Sequence, residues 1–296
     1  MKKVSIILVN YNGYIDTVEC VKSLKDIAYD NYEIIIVDNG SAEDFLKLKK
    51  TYIEDDVIVI NSGANLGFSG GNNVGIKYAI ENKTDYILLL NNDTIVESDF
   101  LNYMVDDCLN NNDNIVVANK IMYLKEKSKI WYGGGSFSSI TSRTIAYGIN
   151  EEDIGKCNLK MKVSFASGCC MLIPVEVIQN IGFMNEEFFL YCEDTDYCQR
   201  IQNAGYMIIY EPKSKIYHKV SASTNKITGV QTYYLVRNKL YIVKKYIKTR
   251  YKFIAYVYVM LETLKRILAG EYQGYSAFSG MQDFCKGIMG KKSDGI

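Results

Sequence analysis

Three short stretches hold side chains whose types and spacing could do chemistry. "LLLNND" (88–93) ends an apolar run on two amides and a carboxylate, Asp93. "YCEDTDYC" (191–198) sets Glu193, Asp194 and Asp196 within four residues, just after the aromatic pair Phe188–Phe189. "SKIYHKVSAS" (214–223) contains His218, the single histidine of the chain. A carboxylate at a strand end suits a hard divalent cation that also takes phosphate oxygens. The same Asn-Asp pair fits an ordinary turn cap. Crowded, partly buried carboxylates have raised pKa values and serve as general bases near neutral pH, although acids also collect in the first turn of a helix. A neutral imidazole ligates Mn²⁺ well, and a lone histidine equally serves structure.

A fourth stretch, "NLGFSGGNNVG" (65–75), offers Gly67, Gly70, Gly71 and Gly75 ahead of a helix. Glycines let a ligand approach the backbone, and a helix N-terminus favours anions. The segment lacks G-K-[ST] and does not follow the first strand, so it is neither a P-loop nor a dinucleotide fingerprint. A tight loop is the other reading.

The elements that must position these residues follow from apolar patterning. Val4–Val9, Tyr32–Asp38, Val57–Ile60 and Tyr86–Leu90 read as buried strands. Residues 14–27 place Ile15, Val18, Val21, Leu24 and Ile27 at spacing three, which predicts a helix. Ser41 caps a second helix over 41–50, and further helices follow over Val74–Glu81 and Phe100–Leu109. "MKVSFASGCCMLIP" (161–174) reads as one long strand interrupted at Gly168. Helix, loop, helix and a strand at Met207–Tyr210 come next, and 229–270 is helical. Strands buried on both faces and alternating with helices predict a parallel α/β sheet under helices, with ligands in the crevice at the strands' carboxyl ends. Those ends carry Asn10-Tyr11-Asn12-Gly13, Asp38-Asn39-Gly40-Ser41, Asn61-Ser62-Gly63 and Asn91-Asn92-Asp93, a polar crevice suited to a phosphorylated ligand.

The 296 residues have zero formal net charge, so no nucleic-acid partner is indicated. The charge is nevertheless split, with −8 over 1–228 and +8 over 229–296. Eight cysteines without a C-x-x-C pair read as free thiols in a reducing cytoplasm. The apolar run after "MKK" is six residues long and meets Asn10, too short for a signal peptide.

In their order, "VSIILVNYNG", "IIIVDNGS", "NLGFSGGNNVG", "LLLNND", "ASGCCMLIP", "FFLYCEDTDYCQRIQNAGY" and "YHKVSAS" resemble glycosyltransferase family 2 enzymes of the GT-A fold, in particular their bacterial rhamnosyltransferase-like branch. The resemblance spans about residues 1–225, and "TYYLVRN" and "SGMQDFCKGIMGKK" extend it weakly. It implies a Rossmann-like nucleotide-diphospho-sugar transferase domain over 1–228 and a helical extension over 229–296. "LNND" is similar to a D-x-D metal motif, so Asp93 would hold Mg²⁺ or Mn²⁺, with Asn92 beside the donor. Asp38 would bind the nucleotide base, cradled by Asn10 and Asn12, while Asn65, Gly67 and Asn72 line the donor pocket. Asp194 would be the catalytic base and His218 a second metal ligand. Where the family often has Asp, this chain has Asn185, and no role is given to it.

The implied activity is inverting transfer of a sugar, rhamnosyl from dTDP-rhamnose or a hexose from UDP, to a lipid-linked or polysaccharide acceptor in cell-surface glycan synthesis. Two rivals are a sugar-phosphate nucleotidyltransferase, which would want basic residues that 61–75 lacks, and a non-catalytic partner of a glycan-synthesis complex. Residues 237–252 hold seven cations and no acid, with Leu240, Val243 and Ile247 at helical spacing and several tyrosines. They predict peripheral binding to the anionic inner face of the cell membrane, with packing on the domain or a homodimer contact as the other readings.

Overall fold

The computed structural model describes residues 1–220 and 228–292. Ser221–Ser223 of the "YHKVSAS" stretch lie outside the described residues. Four strands, β1 (Val4–Asn10), β2 (Tyr32–Asp38), β3 (Val57–Asn61) and β4 (Tyr86–Asn91), form a parallel block in the order β4-β1-β2-β3. In β1, β2 and β4 the side chains are chiefly β-branched or Leu and mostly wholly buried, as strands covered on both faces require, while those of the edge strand β3 are part-exposed. The helices that cover them are α1 (Tyr14–Leu24), α2 (Asp44–Thr51) and α3 (Gly67–Glu81).

Beyond β4 the sheet changes direction. After β5 (Thr94–Val96) and α4 (Phe100–Asn110) come β6 (Ile115–Tyr123), β7 (Ile130–Tyr132), the small hairpin β8 (Gly135–Phe137) with β9 (Thr144–Ala146), then β10 (Met161–Val163) and β11 (Cys170–Pro174). α5 (Val175–Ile181), a 3-10 turn at Glu186–Phe188, α6 (Glu193–Asn203) and β12 (Met207–His218) follow. β11 lies antiparallel between β4 and β6, and the ten-stranded sheet closes with β12 and β10. This is a mixed, mostly parallel α/β sheet between helices.

Three helices complete the described chain: α7 (Gly229–Tyr246), α8 (Thr249–Leu268) and α9 (Gly274–Lys286). They have a small core of their own around Val236, Leu240, Val243 and Val259.

Several expected elements differ for physical reasons. The first helix stops at Leu24 and leaves Ile15 exposed, because strict spacing of three drifts about 60° per step around a helix. Ser41 does not cap α2, which starts at Asp44; its hydroxyl accepts from Asn10 and from the Asn12 amide (2.8 Å). The stretch 161–174 is two strands, β10 at the sheet edge and β11 near its centre. The glycine cluster is the first two turns of α3 rather than a loop before it. A Cβ on Gly75 would lie 2.7 Å from Ile7 and one on Gly71 2.8 Å from Val9, so bare glycine lets α3 settle onto β1. In α7 the positions Leu240, Val243 and Ile247 are buried, so its apolar stripe packs inside the protein.

Candidate active site

The carboxyl ends of β1, β2 and β4 open on a cleft of about 630 Å³. Asn12, Asn65, Gly67, Asn72, Asn92 and Asp93 line it. Local hydrogen bonds fix each one. Asn65 Oδ1 accepts from the Gly67 amide (2.9 Å), the Asn72 amide group donates to the Phe68 carbonyl (2.9 Å), and Asn92 Nδ2 donates to Thr17 Oγ1 (2.8 Å). Asn10 and Asp38 do not line the cleft; they lie buried beneath it. Asn10 Nδ2 donates to Asp38 Oδ1 (2.8 Å) and Asp44 Oδ2 (3.2 Å), while the Ser41 amide donates to Asp38 Oδ2 (3.2 Å). Asn39, two residues short of that serine in the same motif, ties the cleft together by accepting from the Leu66 amide (3.0 Å) and donating to the Gly67 carbonyl (3.0 Å).

Asp93 lies two residues past the end of β4, and His218 ends β12. The pairing of β12 with β5 brings His218 opposite Thr94. His218 Nε2 then sits 3.0 Å from Asp93 Oδ1. Trp131 meets the imidazole edge-on at 4.6 Å between ring centres, and Nδ1 is buried without a partner among the described residues. A hard carboxylate oxygen and an imidazole nitrogen thus converge at the cleft wall. No cluster of three or more His, Cys, Asp or Glu exists among the described residues. Two protein donors fit Mg²⁺ or Mn²⁺ completed by diphosphate oxygens and water, since such ions are seldom caged by protein alone.

The acidic trio divides into three roles. Asp196 is wholly buried and bound by Lys245 Nζ (2.6 Å) and the Tyr246 hydroxyl (2.6 Å), so it anchors α6 to α7. Glu193 is buried with Oε2 unpartnered; burial and then the Asp194 charge push its pKa up to about 8. Asp194 is half-buried. Burial raises its pKa, opposed by hydrogen bonds from the Thr195 amide (2.7 Å) and the Gly168 amide (3.5 Å). A Cβ on Gly168 would lie 3.1 Å from the Phe68 ring and 3.6 Å from Asp194 Cβ. Only this glycine separates Asp194 from Phe68, a wall of the cleft.

The loop leading into α6 contains three non-glycine residues with positive φ: Phe189 (58°), Tyr191 (67°) and Cys192 (69°). Such backbone is strained unless its surroundings hold it. Asn238 Nδ2 faces the carbonyls of Phe188, Leu190 and Tyr191, each at 2.8 Å. Arg237, fully buried, stacks on Tyr233 and Tyr234 and donates to the Gly290 carbonyl (2.8 Å). The Phe189 carbonyl in turn accepts from the Phe68 amide (2.8 Å). The sequence reading gave "TYYLVRN" no such task. Its only signal was an arginine and an asparagine amid tyrosines in an apolar helix.

A sequence model described as "Glycosyl transferase family 2" matches residues 5–182. The chain belongs to that family. It is a glycosyltransferase that draws on nucleotide sugars. It is 25% identical over 247 residues to the dTDP-rhamnosyl transferase RfbF of Shigella flexneri, covering 81% of this chain and 79% of that one. It is 30% identical over 200 residues to the low-salt glycan biosynthesis hexosyltransferase Agl10 of Haloferax volcanii, covering 66% of this chain and 60% of that one. In fold it is similar to GalNAc-T7 solved with UDP, GalNAc and Mn²⁺, with a TM-score of 0.65 at 14% identity over 92% of this chain and 58% of that one. Family membership sets aside the nucleotidyltransferase expectation. No helix among the described residues is long and apolar enough to cross a membrane.

Proposed function

We propose that this family 2 enzyme is an inverting, metal-dependent transferase that moves a sugar from a nucleoside-diphosphate donor to a hydroxyl of a lipid-linked or polysaccharide acceptor in cell-surface glycan synthesis. The observation that carries this reading is the placement of two carboxylates: Asp93 on the cleft wall beside His218, and Asp194 behind the Phe68 wall, packed against Gly168. Rhamnosyl transfer from dTDP-rhamnose is favoured by the similarity to RfbF. A UDP-hexose donor is the second reading, supported by the similarity to a hexosyltransferase.

Asn12, Asn65, Gly67, Asn72 and Asn92 are assigned to the donor. Asp38, whose two oxygens accept from Asn10 and the Ser41 amide, supports the base site from beneath rather than lining it. Asp93 and His218 would hold Mg²⁺ or Mn²⁺, which supplies positive charge against the departing diphosphate. Asp194 takes the proton of the acceptor hydroxyl. The freed oxygen attacks the anomeric carbon from the face opposite the diphosphate, the bond to the diphosphate breaks, and the configuration inverts. The raised Asp194 pKa strengthens it as a base.

We assign 1–228 to catalysis and 229–296 to a basic extension that completes the α6 loop and meets the anionic inner face of the membrane from the cytoplasm. Homodimer contact remains the alternative role for that extension. A panel of nucleotide sugars, each tested with Mn²⁺ and with chelator for slow hydrolysis and thermal stabilisation, should single out one donor. Metal-independent hydrolysis, or no stabilisation by any nucleoside diphosphate, would sink the reading.

A further inference from the structure

A second cavity, about 340 Å³, opens on the other side of Asp194, between the β8–β9 hairpin, α7 and α8. Cys192 and Thr195, which bracket Glu193 and Asp194, form its inner end. Asp194 lines neither cavity itself but adjoins both through its neighbours. Gly168 and Phe68 lead to the donor cleft and Thr195 to this one.

The chemistry of the second cavity is cationic with sugar-sized polar and aromatic surface. Arg143, Lys239 and Arg266 line it against one acid, Glu262, and Tyr258 and Tyr272 contribute rings. Glu262 is shared, at 3.0 Å from Lys239 and 3.4 Å from Arg266; Arg143 has no carboxylate partner among the described residues. Shared between two cations, Glu262 has its pKa lowered despite burial, so it stays charged and the cavity keeps a cationic excess. Arginine forks suit phosphate oxygens. The cavity continues outward as a groove of about 480 Å³ that shares Arg143, Tyr258, Glu262 and Arg266 and reaches Lys265 and Leu261, with Glu271, paired to Arg266 at 3.0 Å, as its second acid. Leu261 belongs to an apolar stripe of α8: Phe253, Val257, Met260, Leu264 and Leu268 recur at helical spacing on its open face, with Phe253 and Leu268 both 79% exposed. That face carries no unpaired acid, since Glu262 is the helix's only carboxylate.

Apolar stripe, cationic groove and cavity thus lie in series and end at Cys192 and Thr195, the residues that bracket Asp194. Resting on the glycosyltransferase reading, we infer that this path binds the acceptor and that the acceptor is an amphiphile. Its lipid lies along α8, its phosphate or pyrophosphate sits among Arg143, Lys265 and Arg266, and its hydroxyl-bearing saccharide enters between Tyr258 and Tyr272 towards Asp194. Lipid anchoring and acceptor recognition are then one surface, on α8 rather than on the buried stripe of α7.

The full-length chain is tested with phosphatidylcholine vesicles doped with a polyprenyl pyrophosphate, or with phosphatidylglycerol at equal surface charge. Affinity for the nucleoside diphosphate with Mn²⁺ is measured in parallel. Wild type should bind the pyrophosphate vesicles about tenfold better than the phosphatidylglycerol ones. The variant R143E/K265E should weaken binding to both, with a loss about tenfold greater on the pyrophosphate vesicles than on the phosphatidylglycerol ones. The variant L261D/L264D should lose binding to both. Both variants should keep nucleoside-diphosphate affinity, which also reports that they are folded. Equal binding to the two vesicles, an unaffected R143E/K265E, or displacement of the protein from vesicles by nucleoside diphosphate would overturn the inference and leave the donor assignment standing. Failure of wild type to bind both the nucleoside diphosphate and the vesicles would overturn both.

Discussion

The two cavities flanking Asp194 are built in opposite ways. The donor cleft is lined chiefly by strand ends, the runs Tyr11–Gly13 and Leu90–Asp93 with Asn39, set over the buried Asn10 and Asp38. The parallel pairing of β4, β1 and β2 brings those runs side by side without further instruction. The cavity beyond Asp194 draws on the hairpin segment Ser142–Thr144 and otherwise on scattered side chains of a loop and three helices, as far as Tyr272. A site made of contiguous runs is fixed once the sheet forms. A site made of scattered side chains is free to change its ligand one substitution at a time. The contrast suits a transferase with a donor of fixed chemistry and an acceptor particular to each enzyme.

Perturbing one side at a time can break that contrast. The largest effect is expected at the boundary: Asp194→Asn should lower turnover about 10²–10⁴-fold, the usual share of general-base catalysis, and leave calorimetric binding of nucleoside diphosphate nearly unchanged. Retention of half the activity would remove Asp194 from the chemistry. On the donor side, Asp93→Ala and His218→Ala should each weaken Mn²⁺-dependent binding of nucleoside diphosphate by about 10–100-fold, with metal-independent binding little affected. Equal losses with and without Mn²⁺ would make the Asp93–His218 contact structural.

Asn238→Ala tests whether the α7 clamp serves the cleft. It strips partners from three carbonyls of a strained loop, so thermal unfolding should show a loss of about 1–3 kcal/mol. The donor KM should rise more than kcat falls, because Phe189 and Leu190 line the cleft. A stability loss with unchanged KM would confine Asn238 to packing.

The last test concerns Glu193 and is read in stability alone. Its folded pKa, about 8, lies above the ordinary carboxylate value of 4.5, so the folded state holds this proton more tightly than the unfolded chain. The resulting stability is complete below pH 4.5 and is lost as pH rises to about 8. Glu193→Gln, neutral at every pH, should match wild type at acidic pH and exceed it in melting temperature at pH 8 and above. Parallel melting curves for the two proteins would show that Glu193 ionises without strain.

What was legible in the sequence follows the same contrast. β2 matches its expected limits, and β1, β3 and β4 each run one residue further, because doubly covered strands must be continuous apolar runs. The glycines were visible, but their use was not: Gly71 and Gly75 answer to Val9 and Ile7, a contact between segments some sixty residues apart. Asp196 looked like a third active-site acid until Lys245 and Tyr246 were seen to hold it. The basic end of the chain was noticed for its charge, yet its exposed apolar face is on α8. Leu240 and Leu261 are the same residue type on successive helices, and only packing decides that one is buried and the other exposed.

The clamp from Arg237 and Asn238 has a further consequence, one of timing. The loop at 188–191 emerges from the ribosome well before Asn238 exists to hold its carbonyls, and before Gly290 exists to receive Arg237 and to donate its own amide to the Glu187 carbonyl (2.7 Å). A nascent chain can complete the strands and glycine helix of the donor cleft and still lack the support that sets the cleft's far wall. The finished donor site is expected only once the chain has been made through Gly290, so a chain stopped short of Asn238 should have no well-formed place to trap a nucleotide sugar.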